Sequence, residues 1–175
     1  MKRWKKVVLA LAVVPVALFA FATWYAVHFS MATAKPFEVN GPQVREHVLI
    51  ATQGSAFKDA VVKRVADRLE KRPAYVKVID VAALGDVREA DWNAIDVLHT
   101  WEMSKPPAAV KTFVDRAQAR DKLVVLATSG NGGYHLEGVD TITSASLTSA
   151  APAQAEEIVS RVEKILAAQS PQTSR

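Results

Sequence analysis

The chain has 175 residues, half of them apolar and 23% charged, which gives room for one ordinary domain plus an extension. Its formal charge of +4 is carried by Lys2, Arg3, Lys5 and Lys6: removing these four from the 22 basic residues leaves 18 against 18 acidic ones. The rest of the chain therefore has no basic excess for nucleic acid, and no nucleic-acid partner is expected. The absence of cysteine excludes disulfides, thiolate metal sites and cysteine nucleophiles. His28, His47, His99 and His135 are not spaced as metal ligands, so no metal site is predicted, and no acid, base and nucleophile fall into a catalytic pattern.

Val7 to Val27 reads VVLALAVVPVALFAFATWYAV, an uncharged stretch that spans roughly 30 Å as a helix, the thickness of a bilayer's hydrocarbon layer. Trp4 stands before it and Trp24 and Tyr25 at its end, positions suited to membrane interfaces. A cleaved signal peptide is the competing reading, with Ala32-Thr33-Ala34 as a small-x-small site, but the apolar run exceeds a signal peptide's usual core. The resulting division is a basic cytoplasmic segment 1–6, a single-pass anchor 7–28, a linker 29–46, a folded domain 47–169 and a tail 170–175. The positive flank predicts a bacterial-type cytoplasmic membrane with the N-terminus inside and the domain outside the cytoplasm.

Pro36, Gly41 and Pro42 mark the linker. His47–Ala51 is a first, fully apolar strand, ending in the loop Thr52-Gln53-Gly54-Ser55. Ala56–Lys71 repeats Phe57, Val61, Val65 and Leu69 as a helix capped by Ser55 and ended by Pro73. Ala74–Val81 alternates as a second strand near an edge, and only Ala82–Trp92 joins it to a third, Ala94–Thr100. Pro106 and Pro107 open a helix with the stripe Val110, Phe113, Val114 and Ala117. Leu123–Thr128 is a fourth strand, the most apolar and so predicted to be central. The loop SGNGGYHLEG leads to a fifth at Val139–Thr143, and the last helix is Ala153–Ala168. Alternating strands and helices predict an α/β doubly wound parallel sheet, with ligands at the carboxyl ends of its strands in loops 51–56, 100–106 and 129–138.

The stretch Thr100-Trp101-Glu102-Met103-Ser104-Lys105-Pro106-Pro107-Ala108-Ala109-Val110-Lys111-Thr112-Phe113 resembles the flavodoxin family, as does the loop Thr128-Ser129-Gly130-Asn131-Gly132-Gly133. The resemblance covers roughly residues 46–168. It implies a five-stranded flavodoxin-like sheet of order 2-1-3-4-5 that binds FMN through three loops: Thr52, Gln53, Gly54, Ser55 and Ala56; Thr100, Trp101 and Glu102; and Ser129, Gly130, Asn131, Gly132 and Tyr134. Trp101 and Tyr134 are the implied stacking partners of the flavin ring. The phosphate loop departs from the family's hydroxyl-x-Thr-Gly-Asn-Thr: its hydroxyl positions fall at Ala51, Gln53 and Ala56, leaving Thr52, Ser55 and backbone N–H groups as substitutes. Each charge-assisted hydrogen bond so lost weakens phosphate binding by roughly 1.5–3 kcal/mol. His99 is read as a strand residue facing a helix, with proton supply as the alternative.

Asp140-Thr141-Ile142-Thr143-Ser144-Ala145-Ser146-Leu147-Thr148-Ser149 is similar to the attachment motif of covalent FMN-binding domains, with Ser144 in the place of glycine and Ser146 in that of the acceptor threonine. FMN is therefore expected as a non-covalent cofactor, with attachment at Ser146 as the alternative to a plain strand and turn. Three functions follow. One is a membrane-anchored FMN electron carrier with a redox partner of unknown identity. Another is an FMN-dependent reductase of a quinone or other small acceptor, and the third is a binding module that has lost the flavin.

Overall fold

The computed structural model describes residues 3–29, 31–102, 104–130 and 132–169; in the first helix it describes the side chains of Trp4 and of 11–24 only. Most of the basic segment 1–6, Asn131 and the tail 170–175 lie outside the described residues or side chains. Two compact units are present, Met1–Met31 and Ala32–Arg175.

The first unit is α1 (Arg3–Phe29), 27 residues with Pro15 inside it. Its described apolar side chains are open on all sides, with Leu11 70%, Leu18 63% and Phe19 76% exposed. Among the described residues no helix is long and apolar enough to cross a membrane.

The second unit is built on β1 (Phe37–Val39), β2 (Glu46–Thr52), β3 (Ala74–Asp80), β4 (Ala94–Thr100), β5 (Leu123–Thr128) and β6 (Asp140–Ser144). Their order is β1-β3-β2-β4-β5-β6; β2 to β6 pair in parallel, while β1 pairs antiparallel with β3. The five expected strands thus hold the expected order, but the sheet is six-stranded and mixed. The correction comes from the predicted linker: Phe37, Glu38 and Val39 meet Val78, Lys77 and Val76, so the strand expected near an edge is covered by a short one. A three-residue strand carries too little periodicity to be read between prolines and a glycine. β5 is interior, between β4 and β6, but the middle of the sheet is β2 and β4.

The two faces bury separate cores because strand side chains alternate in direction. On one face α2 (Ala56–Leu69) and α4 (Ala151–Gln169) lay Phe57, Val61, Val65, Ile158 and Val162 over Val48, Ile50, Leu98 and Leu126. On the other, α3 (Ala108–Arg116) and the 3₁₀ turn Val81–Asp86 lay Val110, Phe113, Val114 and Leu84 over Leu49, Ile95, Val97 and Val125. Two 3₁₀ turns, Val81–Asp86 and Glu89–Asp91, stand where a full helix would join β3 to β4. Asp96 sits within the first core with neither carboxylate oxygen hydrogen-bonded among the described residues. Burial lifts its pKa well above the usual carboxylate range, and the Val97 N–H opposes this only in part.

Candidate functional site

Parallel strands end at a common edge, so Thr52, Thr100, Thr128 and Ser144 bring their loops together there. The chain leaves β2 toward β3 on one side and β4 lies on the other, which puts the crevice of a doubly wound sheet between β2 and β4. Gln53 bridges it: its N–H donates to the Leu98 carbonyl (3.2 Å) and its Oε1 accepts from the Thr100 N–H (2.7 Å). This buried side chain braces the two strand ends instead of reaching outward.

Both hydroxyls of the first loop are used locally. Thr52 Oγ1 donates to the Gln53 carbonyl (3.1 Å), and Ser55 Oγ accepts from the Lys58 N–H (3.2 Å) as the N-cap of α2. Ala56 is exposed, and the Gly54 N–H donates to the Ala32 carbonyl at 2.6 Å. A Cβ on Gly54 would stand 2.9 Å from that oxygen and 3.0 Å from the Thr33 oxygen. Ala34 is buried and its N–H donates to Asp80 Oδ2 (2.7 Å). The segment 32–34 therefore lies across the phosphate-type loop.

Lys58, fully buried, runs from the first turn of α2 to the ends of β4 and β5, where its Nζ donates to Thr100 Oγ1 (2.6 Å). Thr100 Oγ1 and Thr128 Oγ1 are 2.8 Å apart, and Thr128 Oγ1 also donates to the His99 carbonyl (3.2 Å). Burial lowers the Lys58 pKa to about 8, while the carboxylates of Asp59 and Glu102 favour its charged form. His99 is also fully buried, on the α3 face of β4, with both ring nitrogens unpartnered among the described residues. Burial lowers its pKa to about 4, opposed by the Thr100 backbone and helped by the Lys58 charge, so the ring is neutral near pH 7. A neutral, enclosed imidazole matches a strand residue facing a helix.

Trp101 and Tyr134 meet each other: their rings stack with centroids 4.9 Å apart and planes inclined by 18°. Tyr134 is 38% exposed and its hydroxyl lies 3.0 Å from Ser104 Oγ. Glu102 and Lys105 close a tight hairpin with two backbone bonds, in which Ser104 takes φ 59°. In the third loop Ser129 is buried, its N–H donating to the Ser144 carbonyl (3.2 Å), and Gly130 is exposed. Gly132, at φ 69°, packs so closely that a Cβ would stand 3.0 Å from the Ala145 nitrogen. Ser146 is exposed just beyond β6, at the same end of the sheet. Asn131 lies outside the described residues.

The structure thus brings Gln53, Thr100, Trp101, Ser129, Gly132 and Tyr134 to one edge, with Ser146 at its rim. The two rings cover each other's faces, so they would have to part for a planar ligand to enter between them. The phosphate loop does not fit a phosphate as it stands, because its hydroxyls and the Gly54 N–H are engaged within the chain. Sequence reading missed Lys58 and Asp80, and it named Thr128 and the segment 32–34 without giving either a place in the site. Lys58 left a signal: with Val61, Val62 and Val65 it falls at i, i+3, i+4 and i+7, a lysine inside the buried stripe. Of two cavities, the first lies off this edge and the second borders its first loop at Thr52, Gly54, Ser55 and Ala56. The first, of about 750 Å³, is lined by residues such as Leu123 and Asp140, which begin β5 and β6. The other, about 650 Å³, opens beside the segment 32–34, between Phe37, Val62 and Val78.

No family model matches the sequence, and no curated protein does. Solved structures do. The flavodiiron core of Flv1 from Synechocystis sp. PCC6803, in a metal-soaked crystal, superposes with a TM-score of 0.54 at 11% identity over 73% of this chain, which spans only 38% of that protein. A flavodoxin from the domain Archaea matches with a TM-score of 0.48 at 14% identity, covering 70% of this chain and 99% of its own. The general stress protein 14 of Treponema denticola, solved in complex with FMN, gives 0.31 at 11% identity, over 70% of this chain and 97% of that one. At such identities the likeness is one of fold: the Flv1 superposition, together with the observed strand order, shows an α/β flavodoxin-like doubly wound sheet.

Proposed function

We propose that this chain is a membrane-anchored, flavodoxin-like electron-transfer protein whose loop cluster takes a flavin ring, with FMN as the candidate cofactor, between Trp101 and Tyr134. The observation that carries the reading is the near-parallel ring stack at the edge where the doubly wound sheet offers its ligand crevice. A flavin supplies one- and two-electron chemistry when bound. The residues here would sandwich the ring and exclude water from its faces, and no acid, base or nucleophile is needed. Insertion would replace one aromatic contact with two. The uncharged stretch 7–27, its interfacial tryptophans and the exposed apolar side chains of α1 support the anchor, and the basic flank supports an extracytoplasmic domain.

The test is to purify the full chain in detergent, record its visible absorbance and titrate FMN against flavin fluorescence. Quenching that is lost in Trp101→Ala is expected; quenching that survives unchanged in that variant removes the ring pair from the site. A C-terminal phosphatase fusion that is active while a fluorescent fusion stays dark is expected for an exported domain, and the reverse pattern refutes the orientation. Mass spectrometry of protein made with a flavin transferase tests Ser146, where no added FMN mass ends the covalent alternative.

A second reading has its own observation. The Gly54 N–H bonded to Ala32 and the locally satisfied Thr52 and Ser55 favour a binding module that has lost the flavin. A colourless protein that quenches no added flavin selects it. Reduction of a quinone by flavin-loaded protein with NAD(P)H would instead select the reductase.

A further inference from the structure

The segment Ala32–Ala34 occupies the loop in which a phosphate would be held, and it does so through its backbone. Gly54 N–H donates to Ala32 O (2.6 Å), and the two residues form an isolated antiparallel bridge. Asp80 Oδ2 holds the far end by accepting from Ala34 N–H (2.7 Å), and Ala34 itself is 5% exposed. The carbonyl oxygens of Ala32 and Thr33 lie about where a Gly54 side chain would begin, 2.9 and 3.0 Å from that point. A phosphate dianion entering here would meet two carbonyl oxygens, the negative ends of their dipoles, and would have to displace a bonded N–H. The ring pair lies on other loops, after β4 and β5.

We infer that residues 32–34 set the ligand preference of this edge: with the segment in place, the site takes an uncharged flavin, riboflavin in kind, over its 5′-phosphate. The inference rests on the ring-binding reading above and refines it, because it assigns selectivity to a part of the chain outside the ring pair. The structural cause is a built-in occupant of the phosphate loop. Gly54 has a role of its own in this arrangement: only a residue without a Cβ lets the segment approach so closely.

The experiment titrates riboflavin and FMN separately against the full chain in detergent, reading flavin fluorescence. It repeats both titrations in Asp80→Ala, which frees the Ala34 N–H, and in Gly54→Ala, whose methyl group pushes the segment away. Wild-type protein is expected to bind riboflavin about tenfold more tightly than FMN or better, on the scale of one hydrogen bond to a charged group. In each variant the ratio is expected to move by about tenfold toward FMN. Hydrogen exchange of the peptide 48–58 reads the segment without any ligand: Gly54 should be protected in wild type and exchange faster in Asp80→Ala. Equal or tighter binding of FMN by wild type overturns the inference, and so does an unchanged ratio in a folded variant whose Gly54 exchange has risen. Binding of neither flavin overturns the ring reading and the preference together, whereas unprotected Gly54 with riboflavin still bound overturns the segment's role alone.

Discussion

Replacing Lys58 with methionine tests the buried polar cluster most directly. The lysine carries its amine into a site with no exposed surface, where its pKa falls from 10.5 to about 8. Between these values the unfolded chain holds a proton that the folded chain has released, so stability rises with pH across the window. At about 1.4 kcal/mol per pH unit, the rise between pH 8 and 10 amounts to roughly 2–3 kcal/mol. Below pH 8 both states are charged and the cost of burying the ammonium stays constant. The window closes at pH 10 because Tyr75 then acts in the opposite sense. Its pKa is raised to about 12 by burial and by the hydrogen bond to Glu38, so the unfolded chain loses its proton first. In Lys58→Met the side chain keeps its length, while the Thr100–Thr128 hydroxyl contact at 2.8 Å can remain. The assay is urea unfolding of wild type and variant at pH 7, 8, 9 and 10, compared as differences so that other lysines cancel. The wild-type advantage over the variant should grow by about 2–3 kcal/mol from pH 8 to 10 and stay flat from 7 to 8. A difference constant within about 0.5 kcal/mol over the whole range would refute the buried-amine argument.

Three further outcomes are expected. The His99 pKa lies near 4, below that of a free histidine, so acidification from 6.5 toward 4 protonates the unfolded chain first and removes about 3 kcal/mol of stability; His99→Phe should flatten that loss in thermal melts. Asp96 behaves oppositely: its raised pKa keeps it protonated in the core while the unfolded chain ionises above 3.8, so Asp96→Val should stabilise the protein at pH 7 by about 1–3 kcal/mol, with a gain that shrinks toward pH 4 in chemical denaturation. Gly132→Ala places a Cβ at positive φ and 3.0 Å from Ala145 N; a loss of about 1–2 kcal/mol and a changed tryptophan emission from a loosened Trp101–Tyr134 stack are expected, and unchanged emission and stability would contradict the packing described for this loop.

The sequence by itself determined the parts whose signal is local. Apolar runs bounded by turn residues fixed β2, β4 and β5, and the four-residue spacing of Phe57, Val61, Val65 and Leu69 fixed α2, because a buried strand or helix face must be apolar at its own period. The doubly wound parallel arrangement followed from the alternation of strands and helices, while the strand order came with the resemblance to flavodoxins. The three loops at the carboxyl edge were legible for the same reason, while Trp101 and Tyr134 came from the resemblance, which implies contact with a flavin ring, and the structure shows them against each other. Tertiary structure decided what those loops hold. That the two rings meet at 4.9 Å, that Gln53 turns inward to Thr100, and that Lys58 is buried with Thr100 and Thr128 all depend on neighbours 28 to 47 residues away, a separation at which no periodicity survives. The largest difference came from residues 32–39. Between prolines and small residues they carry no pattern, yet their backbone forms the sixth strand and crosses Gly54, because main-chain N–H and C=O groups pair with whatever edge or loop lies open, and side-chain identity scarcely records it.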